Sequence, residues 1–161
     1  MKSVLVVLSC HHGNTAKVAR AISKMLGATI RTPTEASHEE LAGCDLVGFG
    51  SGIDSAKHYG PLLDFVDALP RVSNQKAFIF STCGVPGAVV GGEMLVRQIA
   101  GNHAALRQKL RNKGYVIIDE FGCVGFNTNS FLKLLGGLNR GRPNANDLRC
   151  AEEFAEDLLR E

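Results

Sequence analysis

Between residues 9 and 17 the chain reads SCHHGNTAK, and three chemistries are open to such a stretch. Cys10, His11 and His12 are metal-ligand types, but neighbours on a tight loop rarely aim both rings at one ion, and further ligands are needed. Cys10 and Cys83 are candidate nucleophiles, because a helix N-terminus favours a thiolate. A Cys-x5-Arg phosphate-transfer loop needs Arg at position 16 or 89, and the chain has Ala16 and Val89 there, so that class is set aside. The third chemistry is phosphate binding. A turn between a strand and a helix offers free backbone N–H groups and the positive end of the helix dipole. Ser9 and Thr15 add hydroxyls, Asn14 an amide, and Gly13 a backbone that an anion can approach closely. Neither the Walker pattern with its Lys nor G-x-G-x-x-G is present, which points to a monophosphate. The plainer alternative is a turn with an Asn or Thr cap.

A loop of that kind has to be held by a strand before it and a helix after it, and the pattern supplies both. SVLVVLS (3–9) is a continuous apolar run of strand length, and residues 14–26 carry apolar side chains at helical spacing until Gly27. Further strands are expected at 28–32, 45–51, 75–82 and 115–126. Further helices are expected at 37–44, with Ser37 and Glu40 in capping-box spacing, at 61–69 behind Pro61, and at 103–114 up to Gly114. A last helix is expected over 146–160 with Asn146 as its cap, and residues 84–102 are given no conformation. Buried strands alternating with helices predict a parallel sheet in an α/β sandwich. Ligands then bind beyond the strands' carboxyl ends, where the loops 9–15, 51–60 and 81–87 lie.

The length of 161 residues suits a single domain over 1–161, and the 45% hydrophobic content can fill its core. A net charge of +2 is too weak to expect nucleic acid as a partner. No apolar run is long enough to span a membrane, and the N-terminal run is too short for a secretory leader, so a cytoplasmic location is expected. The five cysteines stand singly, without a C-x-x-C pair, as expected of reduced thiols. Cys83 is read as buried filler or as a redox-sensitive thiol. His58 and Tyr59 are read as a solvated loop pair, or as residues that shape a substrate pocket or protonate a quinone. Arg140 and Arg142 are read as a solvated connector or as contacts for an acidic electron donor.

The segments SCHHGNTAKVARAI, GFGSGID, IFSTCG, KLRNKGYVI and GCVGFNT…KLLGGLNRGRPNANDLRCAEEFA together resemble the short single-domain members of the flavodoxin-like family, in the same order from about residue 3 to 158. That resemblance implies a three-layer sandwich around a five-stranded parallel sheet in the order 2-1-3-4-5, with helices on both faces. It also implies non-covalent flavin mononucleotide (FMN). Ser9, His11, Gly13, Asn14 and Thr15 would hold its phosphate, with His12 supplying a backbone N–H. Ser51, Gly52, Ile53 and Asp54 would lie against the flavin, and Ser81, Thr82, Cys83 and Gly84 would meet the ring edge. Asp54 departs from the family, whose close members usually have a stacking aromatic there. Tyr59 or a partner subunit is then left to stack, and a carboxylate near the ring disfavours an anionic reduced flavin.

Three functions follow as expectations. The leading one is an FMN electron-transfer protein that serves a redox partner, and the slightly basic charge favours an acidic, ferredoxin-like one. The second is an NAD(P)H-dependent FMN reductase of quinones or flavins, with an open flavin face. The third is a flavin-free interaction protein on the same fold. A monomer and a homodimer are both compatible with the sequence.

Overall fold

The strictly alternating side chains of β1 (Ser3–Leu8) supply two cores at once. In the computed structural model, which describes residues 1–85, 92–128, 132 and 136–160, Leu5 and Val7 face one layer while Val4 and Val6 face the other. The first layer holds α1 (Asn14–Leu26) and α5 (Ala145–Leu158), whose Val18, Ile22, Phe154 and Ala155 pack on Phe78 and Phe80. The second holds α2 (His38–Ala42), α3 (Gly60–Ala68) and α4 (Gly92–Asn112), whose Leu41, Leu62, Val66 and Leu106 pack on Phe49 and Ile79.

The strands β2 (Thr29–Arg31), β3 (Leu46–Asp54), β5 (Gln75–Cys83) and β6 (Tyr115–Val124) complete the sheet with β1, and β4 (Lys57–His58) is a short addition. The order is β2-β1-β3-β5-β6, all parallel. Without β4 this is the 2-1-3-4-5 order expected from the resemblance. Its reversal between β1 and β3 puts the carboxyl ends of β1, β3 and β5 side by side, where such sheets bind ligands.

Four local expectations need correction. The segment 51–60 is not a plain loop: β3 runs on to Asp54 and β4 pairs back antiparallel, Ile53 with His58 and Asp54 with Lys57. The two turn residues, Ser55 and Ala56, have φ of 51° and 60°. That handedness matches strand twist, but without Gly or Asn it leaves no turn signal in the sequence. Helix α4 begins at Gly92 rather than 103; its first turns are exposed, so no apolar face announces them. The cap of α5 is Asn144, not Asn146. Its Oδ1 accepts from the N–H groups of Asn146 and Asp147, while the Asp147 carboxylate accepts from the Asn144 N–H. At α1 the cap position is taken by Gly13, without a side-chain hydrogen bond. Val89, residues 86 and 87 of the third loop, and residues 133–135 of the family-like segment lie outside the described residues.

Candidate functional site

A narrow cleft of about 40 Å³ opens at the carboxyl edge of the sheet. Its walls come from the first loop (Ser9, Cys10, His11, His12, Asn14 and Thr15), from Gly52, Ile53 and Tyr59, from Thr82, Cys83 and Gly84, and from residues 125–128 after β6. The volume suits about three waters, or one phosphate-sized group.

The first loop is shaped by two consecutive left-handed residues, His12 at φ 54° and Gly13 at φ 64°. Glycine takes that conformation freely, whereas histidine does so at a cost. The turn brings the chain onto α1 with no acidic residue in its first turn. The Ala16 N–H is capped by Ser9 Oγ at 3.2 Å, and the Asn14 N–H makes a long 3.5 Å bond to the His11 carbonyl. The N–H groups of His12, Gly13 and Thr15 have no acceptor among the described residues. They sit at the positive end of the helix dipole, an arrangement that suits an anion.

The side chains of this loop mostly brace the cleft. Thr15 Oγ1 meets Thr82 Oγ1 at 2.8 Å in a buried hydroxyl pair. Asn14 Nδ2 donates to the Phe126 carbonyl at 2.8 Å, which leaves Oδ1 buried without a partner. The two histidine rings diverge. His12 Nε2 lies 2.8 Å from Thr128 Oγ1, with its ring 4.6 Å from that of Phe126, while His11 meets the Tyr59 ring edge-on at 6.3 Å. Among the described residues no group of three His, Cys, Asp or Glu side chains converges on one point.

At the other end of the cleft the Tyr59 phenol lies across Gly52. A Cβ on residue 52 would come within 2.5 Å of the phenol oxygen, so only glycine admits this packing. Burial pushes the Tyr59 phenol upward in pKa, with Cys10 and Asp54 adding to it. Burial likewise pushes the Cys83 thiol up, against backbone hydrogen bonds at Val85 and Cys83, so Cys83 is a poor nucleophile.

Four residues expected to face the cleft, Gly13, Ser51, Asp54 and Ser81, do not line it. Asp54 is exposed near the hairpin turn. Ser51 and Ser81 are fully buried and point to the opposite side of the sheet. Side chains alternate along a strand, and both serines share parity with Phe49 and Ile79, which face α3 and α4. There Ser51 Oγ meets His58 Nδ1 at 2.8 Å and Ser81 Oγ meets His103 Nε2 at 2.7 Å. The solvated reading of His58 is therefore corrected: it is 1% exposed. Gly13 shapes the loop without lining the cleft.

The segment 125–128 was missed as a wall, although its Gly-Phe-Asn-Thr composition after a strand repeats the small, polar character of the other three loops. Cys10 and Tyr59 also line the cleft. No helical or strand period could have placed Tyr59, which depends on the hairpin.

Comparison with known proteins follows the same lines. A family model described as a flavodoxin domain matches residues 5–122. A protein of Methanocaldococcus jannaschii, described as uncharacterized, is 39% identical over 160 residues, 99% of either chain. Among solved structures, the oxidised flavodoxin 2 of Bacillus cereus is similar with a TM-score of 0.70 at 14% identity, covering 99% of both chains. Flavodoxin 1 of the same organism gives a TM-score of 0.69 at 16% identity, covering 100% of this chain and 99% of its own.

Proposed function

The chain belongs to the flavodoxin domain family, and from that premise we propose that it binds FMN non-covalently and passes electrons between a donor and an acceptor. The observation that carries this reading is the free N–H set of His12, Gly13 and Thr15 at the head of α1, beside a phosphate-sized cleft that His12 and Thr15 line. When bound, the flavin supplies the electron-accepting ring; the protein orients it and sets the relative stability of its oxidation states.

The residues present fit that group unevenly. At the phosphate end the donors are in place, and the buried Asn14 Oδ1 offers an acceptor to a sugar-alcohol hydroxyl. At the ring end Tyr59 fills the space over Gly52. In this proposal the phenol turns from Gly52 to become the aromatic wall of the ring, the role that Asp54 cannot fill. Thr82, Cys83 and Gly84 border the same end. The net charge of +2 supports an acidic partner protein as the electron donor or acceptor.

An absorbance scan of the purified protein tests this. The expected result is a yellow protein that releases FMN on denaturation and oxidises NAD(P)H negligibly in the presence of a quinone. Steady NAD(P)H turnover overturns the shuttle in favour of a reductase. A colourless protein that leaves added FMN fully fluorescent overturns both.

A further inference from the structure

Behind the cleft, on the far face of the sheet, lies a polar cluster that the proposed function does not use. Ser51 and Ser81 are register partners on β3 and β5, and each directly precedes a residue of the cleft wall, Gly52 and Thr82. The Ser51 hydroxyl donates to the Gly52 carbonyl at 2.7 Å and accepts the Tyr59 N–H at 3.2 Å. Its only proton is thus committed, so His58 must donate to it from Nδ1. That tautomer leaves His58 Nε2 a bare lone pair, buried and without a partner. The His103 ring is 5.0 Å away. Its Nε2 meets Ser81 Oγ, and its Nδ1 meets Glu120 Oε2 at 2.9 Å. Glu120 is held in turn by the Arg107 guanidinium through two hydrogen bonds.

We propose that His58 and His103 form a one-proton site that titrates against the charge of the cleft's occupant. Two imidazolium ions at this separation repel strongly in a buried setting, so the pair holds one proton at most. His103 is the member built to carry it, because oxygens stand at both of its ring nitrogens and one of them is a carboxylate. Burial first, and then His103, hold the pKa of His58 well below its usual value, while Glu120 opposes this. The charged and titratable groups around the pair are Glu120 from β6, Arg107 from α4, and Tyr59 at the head of α3, with Asp54 and Lys57 further out on the hairpin.

The proposal rests on the flavin reading. Two electrons from a donor together with one proton leave a bound flavin with one added negative charge. A solvent proton on the imidazole pair balances that charge. The Glu120 carboxylate, which is partly exposed, accepts from His103 Nδ1–H, so the added proton goes to Nε2 and is held there by Ser81 Oγ.

The test is imidazole 15N NMR of the FMN-loaded protein between pH 5 and 9, in the oxidised state and after reduction with dithionite. On reduction, the pH at which the pair gains its proton is expected to rise by about one unit, with a single-proton step shared by both rings. In weakly buffered solution, at a pH midway between the two midpoints, His103→Asn is expected on reduction to take up about half a proton fewer per flavin than the unsubstituted protein, as a one-unit shift requires. Signals from both rings that are identical in the two redox states overturn the proton site and leave the flavin reading standing. A protein that retains no FMN overturns both.

Discussion

The Thr15–Thr82 hydroxyl pair ties the first helical turn to the end of β5, inside the protein and away from water. Thr15→Val keeps the shape but leaves the Thr82 hydroxyl buried without its partner. That costs about 1–3 kcal/mol of stability, which urea unfolding followed by circular dichroism will show as a lower midpoint. Tyr59 bears on ligand binding. If its phenol becomes the wall of the ring, Tyr59→Ala loses about 0.5–1.5 kcal/mol of stacking. The dissociation constant for FMN, read from fluorescence quenching, then rises about two- to tenfold. A tighter complex would show that the phenol only obstructs the slot. His12 is a third residue of note, because it holds a positive φ that glycine would take more easily. Its compensation is the bond to Thr128 and the contact with the Phe126 ring.

Among the elements, α5 has the most complete start. Asn144 and Asp147 cap each other reciprocally, and the Arg142 guanidinium pairs with the same Asp147 carboxylate. Asn144→Ala is expected to cost about 1 kcal/mol and to lower the melting temperature by about 2–4 °C, measured by thermal unfolding. The sequence pattern placed this helix but put its cap two residues late, because Asn144 and Asn146 are equally good cap types and only the fold chooses between them. The central strands β1, β3 and β5 are legible because a strand buried on both faces has no polar alternation to blur it. Helix α1 was legible too, because its apolar stripe and its terminal Gly27 agree. The hairpin of β3 and β4 was not, since its turn is formed by Ser55 and Ala56 in a conformation neither residue advertises. The same hairpin sets the Tyr59 phenol over Gly52, a contact that no local pattern encodes. Ser51 and Ser81 adjoin cleft residues in sequence, but adjacent strand residues face opposite sides, and both serines lie on the face of Phe49 and Ile79.

For the molecule as a whole, the buried polar cluster makes stability depend on pH. His58 has a folded-state pKa well below 6.5, so below that pH the unfolded chain binds a proton that the folded one refuses. Stability is full above about pH 6.5 and falls as the pH drops through that value. Glu120 adds a second loss. Burial raises its pKa, but the Arg107 and His103 hydrogen bonds prevail and hold it at about 2, against 4.5 when free. Its contribution is present above 4.5 and disappears as the pH falls towards 2. Urea midpoints recorded from pH 8 down to 3 should therefore decline in two stages, each no steeper than about 1.4 kcal/mol per pH unit per proton. Glu120→Gln is expected to remove the lower stage and leave the upper one. A flat profile down to pH 4 would contradict the burial of a neutral His58.

The bonds that close the cleft also join parts of the chain far apart in sequence. His12 reaches Thr128 across 116 positions, Asn14 reaches Phe126 across 112, and Thr15 reaches Thr82 across 67. Contacts so distant in sequence require large loops to close before they give any return. The cleft is thus among the last features a folding chain can assemble, and a nascent chain lacking residues beyond β6 has only part of its walls. Anything that binds there senses the completed fold and stabilises it by mass action, so occupancy of the cleft reports on the maturity of the whole molecule.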